Sequence, residues 1–329
     1  MQPIRRLIVS AAPLVLMSES LRAQSYPAQP VSIIVPYPAG GYFDRVARVV
    51  AERLALVLKQ PFVVENKVGA SGMLGTEFVA RAKPDGYTLL LGGQAQNVIS
   101  VLTQPKVARY DSLRDFASIV LLADAPNVLV VPAGSSVRTF ADLVEFTRRN
   151  QASYASNGVG VGTHLMMELL KAQFGLDITH VPFKGSVPAI TAVAGGHVTT
   201  AFATISDILP HIRSGRVRAL AVTGMQPLAA LPGVPTMEQA VGKGFESSTW
   251  SSLHAPAGTP DAILKRLNAE INSALADPVI AKKISPEGEI AILGGTQDDL
   301  TTMMKSEFTK WGKLIDRLTK EGSSDFQGS

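Results

Sequence analysis

Short runs of β-forming residues alternate with amphipathic patterns along most of this sequence. The first run, VSIIVPY, is followed by a stretch from Asp44 in which apolar residues recur every four positions between Val46 and Leu58, with charged residues between them. That spacing predicts a helix with one buried face. Further β-rich runs at PFVVEN and YTLLLGG flank a helical pattern at 72–82. The resulting βαβαβ order predicts an α/β fold with mainly parallel strands.

The same alternation begins again after the extended run NVLVV. The predicted strands are ASYAS, ITHVPF, HVTTAFA and VRALAVTG, and the predicted helices lie near 140–149, from Thr163 and near 187–194. After SSLHAP the pattern is helical to the end of the sequence. Because the same alternation of strands and helices occurs in both halves, we expect two lobes of one architecture, although the halves share no sequence repeat. The lobes would be joined by strands at NVLVV and SSLHAP. The predicted domains are 24–124 together with 250–329, and 125–249.

Glycine-rich loops stand where predicted strands end and helices begin. One is PAGG at 38–41, and another carries Gly158, Gly160 and Gly162 ahead of a helix. Thr163 is the predicted N-cap of that helix. The first N–H groups of a helix have no intrahelical partners, and glycine allows a ligand to approach them closely. The loop at 38–41 contains no lysine or arginine, so an anion there would be held by N–H groups and the helix dipole.

A single loop of this kind has an alternative explanation, because tight turns often need glycine for conformational reasons alone. It would also bind weakly, since a helix terminus contributes at most about 2 kcal/mol whereas micromolar affinity needs about 8 kcal/mol. A third helix start at PFKGSVPAI, where Ser186 is a candidate cap, adds a further cluster of donors. Such loops in both halves favour an anion-binding cleft between two lobes over isolated turns.

Composition and motifs exclude several classes of protein. The 329 residues carry a formal net charge of +4 without a basic block, which disfavours nucleic acid as a partner. Cysteine is absent and no two of the five histidines lie four positions apart, so neither a thiolate site nor a helix-borne zinc site is predicted. The glycine spacing differs from a dinucleotide fingerprint, and no G-x-S-x-G nucleophile motif occurs. We expect no cofactor, no metal and no catalytic residue, and His164 is interpreted as a residue of a helical first turn.

The N-terminus has the features of a secretory signal peptide. Arg5 and Arg6 precede an apolar stretch at 7–17, and Ala23 follows it. The stretch is shorter than the ~20 residues that a membrane-spanning helix needs, and no later segment reaches that length without Gly, Pro or charge. We therefore predict a signal peptide at 1–23 and an exported, periplasmic mature protein.

Several sequence blocks between Tyr26 and Leu318 carry a family resemblance. They include YPAQPVSIIVPYPAGGYFD, VVENKVGASGMLGTEFVARAKPDGYTLLLG, YASNGVGVGTHL, HVPFKGSVPAI and APAGTPDAILKRLNAEI. These blocks resemble, in content and order, the extracytoplasmic receptors of tripartite tricarboxylate transporters, also called Bug-type receptors. The resemblance implies a two-lobed, periplasmic-binding-protein-like α/β fold of type II, which holds a small carboxylate between its lobes without catalysis. The implied partners are that ligand and the membrane subunits of a transporter, with the receptor itself a monomer.

The resemblance also implies where the ligand binds. The family takes the carboxylate with the loop after the first strand and with the glycine-rich loop of the second lobe. The matching positions here, including an aromatic-Lys-Gly-Ser segment, are Pro38, Ala39, Gly40, Gly41, Ser156, Asn157, Gly158, Gly162, Thr163, His164, Phe183, Lys184, Gly185 and Ser186. The further expected contacts are Tyr42, Phe43, Asp44, Gln94, Thr204 and Asp207. Asp44 also has a structural role, because its charge complements the dipole of its helix.

Departures from the family pattern indicate a ligand with a larger body. Tyr42 and Phe43 stand where members commonly carry small residues, and Phe183 stands where tyrosine is usual. Ala203 replaces an aspartate found in many members, which argues against an amino-acid ligand. We therefore predict an organic acid whose aromatic or apolar body lies near these rings and Trp250. The alternative is that Tyr42 and Phe43 only shield the cleft edge or pack the hinge.

Two other functions stay open from the sequence. A periplasmic sensor that presents its closed form to a membrane signalling protein would carry the same residues and differ only in its partner. A periplasmic enzyme on this scaffold would need a nucleophile–base pair or a metal cluster, which no spacing in the sequence provides. Side chains distant in the sequence could still converge in the fold.

Overall fold

The computed structural model describes residues 26–242, 245 and 247–320. The predicted signal peptide at 1–23 lies outside the described residues. The first β-rich run and the periodic stretch after it form β1 and α1, and the remaining units follow in the predicted order. Their bounds are β1 Val31–Val35, α1 Tyr42–Leu58, β2 Phe62–Asn66, α2 Met73–Ala80 and β3 Thr88–Gly93. A π-helical turn at Ala95–Ile99 then leads into α3, Ser100–Thr103.

A second set of β/α units begins with β4, Phe116–Pro132, a 17-residue strand that is much longer than the predicted run NVLVV. It continues with α4 Phe140–Arg149, β5 Ser153–Ser156, α5 Gly162–Phe174, β6 Thr179–Pro182, α6 Ser186–Ala194, β7 Thr200–Thr204, α7 Ile205–Arg213, β8 Val217–Val222 and α8 Met237–Val241. The chain ends with β9 Ser248–Pro256, α9 Asp261–Leu275, α10 Pro278–Ile284, β10 Ala291–Ile292 and α11 Gln297–Lys320.

The strands follow one another in the order β2-β1-β3-β9-β4-β7-β5-β6, and β8 and β10 also pair with β4. Parallel pairing joins β1 to β2 and β3 in the first lobe, and β5 to β6 and β7 in the second. The strands β4 and β9 instead run antiparallel to their neighbours. The two-lobed α/β fold is as predicted, whereas the parallel pairing is limited to β1–β3 and β5–β7, because every strand that pairs with β4 or β9 runs antiparallel to it.

Strand β4 connects the two lobes. Its residues 116–126 pair with β9, and its residues 127–132 pair with β7 and β8. The change of partners occurs at Asn127, whose N–H group donates to Thr223 Oγ1 at 2.9 Å. The proposed domain limits at 124/125 and 249/250 lie close to this point in the chain, and that division stays a prediction.

The apolar face of α1 packs on the first-lobe sheet and against α9 and α10, as its spacing predicts. The C-terminal helices therefore return to the first lobe. The last of them, α11, contacts β4 and α3 and also reaches α5 of the second lobe. In the described part of the chain, none of the helices combines the length and the apolar character needed to cross a lipid bilayer.

Two predicted helix caps differ from the structure. Helix α5 begins at Gly162 with Val161 as its N-cap residue, and Thr163 Oγ1 accepts a hydrogen bond from the Asn157 N–H group at 3.2 Å. The prediction of Thr163 as N-cap is wrong because its hydroxyl holds the preceding loop. Helix α6 likewise begins at Ser186 itself, after an N-cap residue that has no side chain, Gly185.

Candidate functional site

A cavity lies between the two lobes, where strands of both sheets end and helices begin. The cavity has a volume of about 50 Å³ and is partly open to solvent. This is room for only ~4 ordered waters, so the lobes lie close together here. The lining consists of Tyr37, Pro38, Gly41, Tyr42, Phe43, Gln94, Ala95, Asn157, Val161, Gly162, Thr163, Ser186, Val187, Thr204, Asp207 and Thr249.

The start of α1 forms one wall of the cavity. Gly40 adopts a φ angle of 85°, which a residue with a side chain rarely adopts. Its N–H group donates to Asp44 Oδ2 at 2.9 Å and so closes the loop onto the first helical turn. In the described part of the chain, no acceptor contacts the N–H groups of Gly41, Tyr42 and Phe43. These three groups are available to bind an anion.

Asp44 supports this loop and does not line the cavity, although it was expected to contact the ligand. Its carboxylate accepts hydrogen bonds from Gly40, from Arg48 Nε at 2.9 Å and from Asn66 Nδ2 at 3.0 Å. Burial alone would raise the pKa of Asp44, but the hydrogen bonds from Arg48, Gly40 and Asn66 outweigh burial and hold the pKa below its usual value. The charge at the first turn of α1 therefore persists and fixes the loop, which is the expected structural role.

Two helix starts of the second lobe face α1 across the cavity. Helix α5 begins at Gly162 and α6 begins at Ser186, and both residues line the cavity. Over the described residues, no protein acceptor contacts the N–H groups of Gly162, Thr163, Ser186 and Val187. The walls approach closely, because a side chain at Gly41 would come within 3.2 Å of Ser186 Oγ. N–H donors of both lobes therefore face one narrow space.

The glycines at 158 and 160 serve the contact between the lobes. A side chain at Gly158 would lie 2.8 Å from Ser71 Oγ, and one at Gly160 would lie 2.3 Å from Thr103 Oγ1. Ser71 Oγ donates to the Val159 carbonyl oxygen at 2.8 Å, so the first lobe rests directly on the backbone of this loop. Gly158 was expected to contact the ligand but does not line the cavity, because Ser71 of the first lobe packs against it.

His164 and Ser156 support the same loop from behind and do not line the cavity. His164 is fully buried, and its Nδ1 accepts a hydrogen bond from the Gly160 N–H group at 3.1 Å. Its ring stacks on His180 with ring centroids 4.1 Å apart, and His180 Nε2 lies 2.6 Å from Ser156 Oγ. His164 lies in the first turn of α5, as predicted, and shapes the loop that precedes the helix.

The aromatic residues are placed differently from the prediction. Tyr42 lines the cavity but is only 3% exposed, and its hydroxyl donates to the Ala123 carbonyl oxygen of β4 at 3.2 Å. Phe43 stacks on Tyr37 with centroids 4.9 Å apart and ring planes inclined by 18°. Trp250 is buried against α11, where its indole N–H donates to a carboxylate. Trp250 does not line the cavity, and its place near the ligand stays a prediction. The bond from Tyr42 to β4 fits the alternative that this ring packs the hinge.

The structure brings about half of the predicted site residues to the cavity. Those that line it are Pro38, Gly41, Tyr42, Phe43, Gln94, Asn157, Gly162, Thr163, Ser186, Thr204 and Asp207. Those that do not are Ala39, Gly40, Asp44, Ser156, Gly158, His164, Phe183, Lys184 and Gly185. The lining also contains residues that the prediction omitted, namely Tyr37, Ala95, Val161, Val187 and Thr249. Tyr37 follows the carboxyl end of β1, a position that by itself marks ligand sites in α/β sheets.

Asp207 is the charged side chain among the residues that line this cavity. It lies in the first turn of α7, and its Oδ1 is 2.7 Å from an Arg45 guanidinium nitrogen on α1. A second Arg45 nitrogen donates to the Gly40 carbonyl oxygen at 2.8 Å. The pair joins the lobes and balances the aspartate charge, so the lining offers N–H donors without a lysine or arginine. Over the described residues, no cluster of three or more His, Asp or Glu could hold a metal ion.

Sequence comparison relates the chain to one family of receptors. Residues 46–319 match the family described as "Tripartite tricarboxylate transporter family receptor". Protein BugT of Bordetella pertussis is 34% identical over 295 residues, which are 89% of this chain and 90% of that protein. A protein encoded in the tcbD-tcbE intergenic region of a Pseudomonas species is 38% identical over 317 residues, which are 94% of each chain.

Solved structures share the fold over nearly the whole length. An R. palustris protein with adipate has a TM-score of 0.85 and 31% identity, over 89% of this chain and 98% of that one. The periplasmic binding protein BugD has a TM-score of 0.83 and 32% identity, over 89% and 99% of the chains. MatC from Rhodopseudomonas palustris, with bound malate, has a TM-score of 0.83 and 28% identity, over 88% and 99% of the chains.

Proposed function

Because this chain belongs to the tripartite tricarboxylate transporter receptor family, we propose that it captures a small organic carboxylate between its lobes for a transporter of that type. The family consists of periplasmic solute-binding receptors. One observation carries the proposal: N–H groups at the starts of α1, α5 and α6, without acceptors in the described part of the chain, line one cavity. An anion is the guest that such groups and the helix dipoles favour.

The number of helix starts makes this binding mode strong enough. One helix terminus contributes at most about 2 kcal/mol, whereas a micromolar complex needs about 8 kcal/mol. Hydrogen bonds to a charged group contribute about 1.5–3 kcal/mol each, so several N–H donors from three helix starts can supply the difference. Donors from both lobes reach one small anion only when the lobes are close, so we propose that binding closes them around the strand β4.

The ligands of two relatives support a carboxylate. One R. palustris structure contains adipate and the MatC structure contains malate, and both molecules are dicarboxylates. For the body of the ligand we propose an apolar or aromatic group that lies against Tyr37, Phe43, Val161 and Val187, because these side chains form the apolar part of the lining. An aromatic body needs the lobes further apart than they are in this structure.

Calorimetric titration against aliphatic and aromatic mono- and dicarboxylates tests the proposal. We expect at least one of these acids to bind with a micromolar or lower dissociation constant, and acids with an apolar body to bind best. Binding of short amino acids with no response to aromatic or aliphatic acids would contradict the proposed body, and no binding of any carboxylate would contradict the function.

A matched pair of variants tests the role of the backbone donors. Proline is favoured at the first helical position and removes only the N–H group there, so Ser186→Pro should leave α6 intact while deleting one donor. We expect about tenfold weaker carboxylate binding, whereas Ser186→Ala, which keeps the N–H group, should change affinity by less than about threefold. Gln297→Pro at the first position of α11 is the control for proline itself. If the two Ser186 variants bound the carboxylate equally well, the N–H group at position 186 would not contribute to binding.

The membrane partner is a separate part of the proposal. We propose delivery to the membrane subunits of a tripartite tricarboxylate transporter, because the family is defined by that role. Uptake of the labelled carboxylate into vesicles that contain such subunits should require addition of this receptor. Uptake at the same rate without the receptor, or activation of a membrane sensor by the liganded receptor, would assign another partner.

A further inference from the structure

Gln94 connects the cavity to the C-terminal helix. It lies just after β3, at the start of the π-helical turn, and is only 3% exposed although it lines the cavity. Its Nε2 donates to Glu307 Oε2 on α11 at 3.0 Å. The side chain is therefore held between a cavity that faces both lobes and a carboxylate that is 213 residues away in the sequence.

The partners of Glu307 fix which way the Gln94 amide points. The same oxygen, Oε2, accepts hydrogen bonds from Trp250 Nε1 at 3.2 Å and from Trp311 Nε1 at 2.9 Å. An indole N–H can only donate, so this oxygen acts as an acceptor, and its third partner must also be a donor. The other oxygen, Oε1, lies 3.6 Å from Lys310 Nζ. The amide nitrogen of Gln94 must therefore face Glu307, and its carbonyl oxygen must face the opposite way.

That carbonyl oxygen lies at the start of α5. A side chain at Gly162 would come within 2.7 Å of Gln94 Oε1, and both residues line the cavity. Over the described residues, the Gln94 amide bonds through its nitrogen to Glu307, and no donor contacts Gln94 Oε1. The cavity thus presents a fixed hydrogen-bond acceptor directly beside the N–H donors of Gly162 and Thr163. A carboxylate oxygen placed against Gln94 Oε1 would be repelled, since both are acceptors.

We infer that the ligand is a 2-hydroxy carboxylate, whose carboxylate binds the α5 N–H groups and whose hydroxyl donates to Gln94 Oε1, with Glu307 as the positioning residue. This inference rests on the proposed function and adds the class of carboxylate. An acceptor left unpaired in a desolvated site costs free energy, so the cavity selects against the acid that lacks the hydroxyl. An ammonium group would meet no unpaired carboxylate in the described lining, because Asp207 is already paired with Arg45.

Three pairs of acids that differ by one hydroxyl test the inference: lactate and propionate, malate and succinate, and mandelate and phenylacetate. In calorimetric titration of the wild-type protein, we expect the hydroxylated member of every pair that binds to have at least about tenfold higher affinity. In Gln94→Met, which lacks the amide acceptor, we expect this ratio to fall below about threefold. Gln173→Met, at an exposed position of α5, should keep the wild-type ratio.

Variants of Glu307 test the positioning role. In Glu307→Leu the Gln94 amide is free to turn over, so the preference for the hydroxylated acid should fall even if the protein stays folded, as checked by thermal unfolding. Glu307→Gln can still accept through its own amide oxygen and should restore most of the preference. A purely structural role of Glu307 would lower the affinity for both members of each pair equally.

The outcomes separate this inference from the proposed function. If the wild-type protein binds both members of each pair equally, the carboxylate function stands and the hydroxyl assignment is wrong. Retention of the preference in Gln94→Met contradicts the inference as well, and tighter binding of alanine or aspartate than of lactate or malate would make the donor an ammonium group. If no carboxylate binds, the proposed function and the inference fail together.

Discussion

The ion pair between Arg45 and Asp207 offers a sharp test of how the cavity accommodates an anion. Arg45 belongs to α1 and Asp207 to α7, and their closest nitrogen and oxygen atoms are 2.7 Å apart. The Asp207 side chain is 5% exposed, whereas that of Arg45 is 42% exposed. Replacement of Arg45 by Ala leaves a nearly buried carboxylate without its counter-charge, next to the proposed anion site. We expect weaker carboxylate binding and less favourable closure of the lobes.

The magnitude follows from the exposure of the two partners. Breaking a buried ion pair costs about 3–5 kcal/mol, and an exposed pair contributes less than about 1 kcal/mol. Because water screens the 42% exposed Arg45, we expect Arg45→Ala to lose about 1–2 kcal/mol of binding free energy. That loss corresponds to about five- to thirtyfold weaker affinity. In Arg45→Ala/Asp207→Asn the repelling charge is also gone, so affinity should return to within about threefold of the wild type.

The assay is calorimetric titration with the tightest-binding carboxylate, in low salt and in about 0.5 M salt, where exposed charges are screened. Arg148→Ala is the matched control, because Arg148 pairs with Glu145 at 2.9 Å on an exposed face of α4, away from the cavity. It should bind like the wild type. Unchanged affinity of Arg45→Ala in low salt, or a double variant that binds no better than the single one, would refute this account of the electrostatics.

Two further predictions concern stability. Burial of His254 lowers its pKa to about 3, so the native state keeps the ring neutral while the unfolded chain takes up a proton below its ordinary value of 6.5. Stability should therefore fall as the pH drops from about 6.5 towards 3, by about 2 kcal/mol at pH 5. Urea unfolding of His254→Gln should show a correspondingly weaker dependence of stability on pH. The same pH dependence in both proteins would refute the assignment to His254. Tyr42→Phe removes the hydroxyl that donates to the Ala123 carbonyl oxygen at 3.2 Å, and urea unfolding at pH 7 should show a loss of about 1–2 kcal/mol. A loss below about 0.3 kcal/mol would mean that water replaces this hydrogen bond.

Local periodicity was sufficient to predict most elements of the fold. The helix expected at 140–149 has those bounds in the structure, and the spacing of apolar residues from Val46 to Leu58 lies within α1. In both helices the spacing of apolar residues marks one buried face, and this spacing can be read from neighbouring residues alone. Thr296 and Asp299 form a local pair of the same kind ahead of α11, with the Asp299 N–H group donating to Thr296 Oγ1 at 3.1 Å. Such features need no knowledge of distant contacts.

Features that depend on contacts between distant parts of the chain could not be predicted from the sequence. Strand β4 is 17 residues long because it changes pairing partners at Asn127, and its composition does not record which strands lie beside it. Gly158 and Gly160 look like ligand loops, but their backbone is covered by Ser71 and Thr103 of the first lobe. Spacing alone cannot distinguish a glycine that admits a ligand from one that admits another part of the protein.

The strand that joins the lobes also contributes to the cavity. Thr204 and Thr249 line the cavity, and both donate their hydroxyl hydrogens to Asn127 Oδ1, at 3.4 Å and 3.2 Å. Asn127 is the residue at which β4 changes from β9 to β7 and β8. In the closure that we propose, rotation of the lobes about this residue displaces Thr204 and Thr249 together with the facing helix starts. A ligand that contacts only α1 gains nothing from closure, whereas one that also binds α5 and α6 is held by the closed form alone, so selectivity for the ligand and closure of the lobes depend on the same contacts.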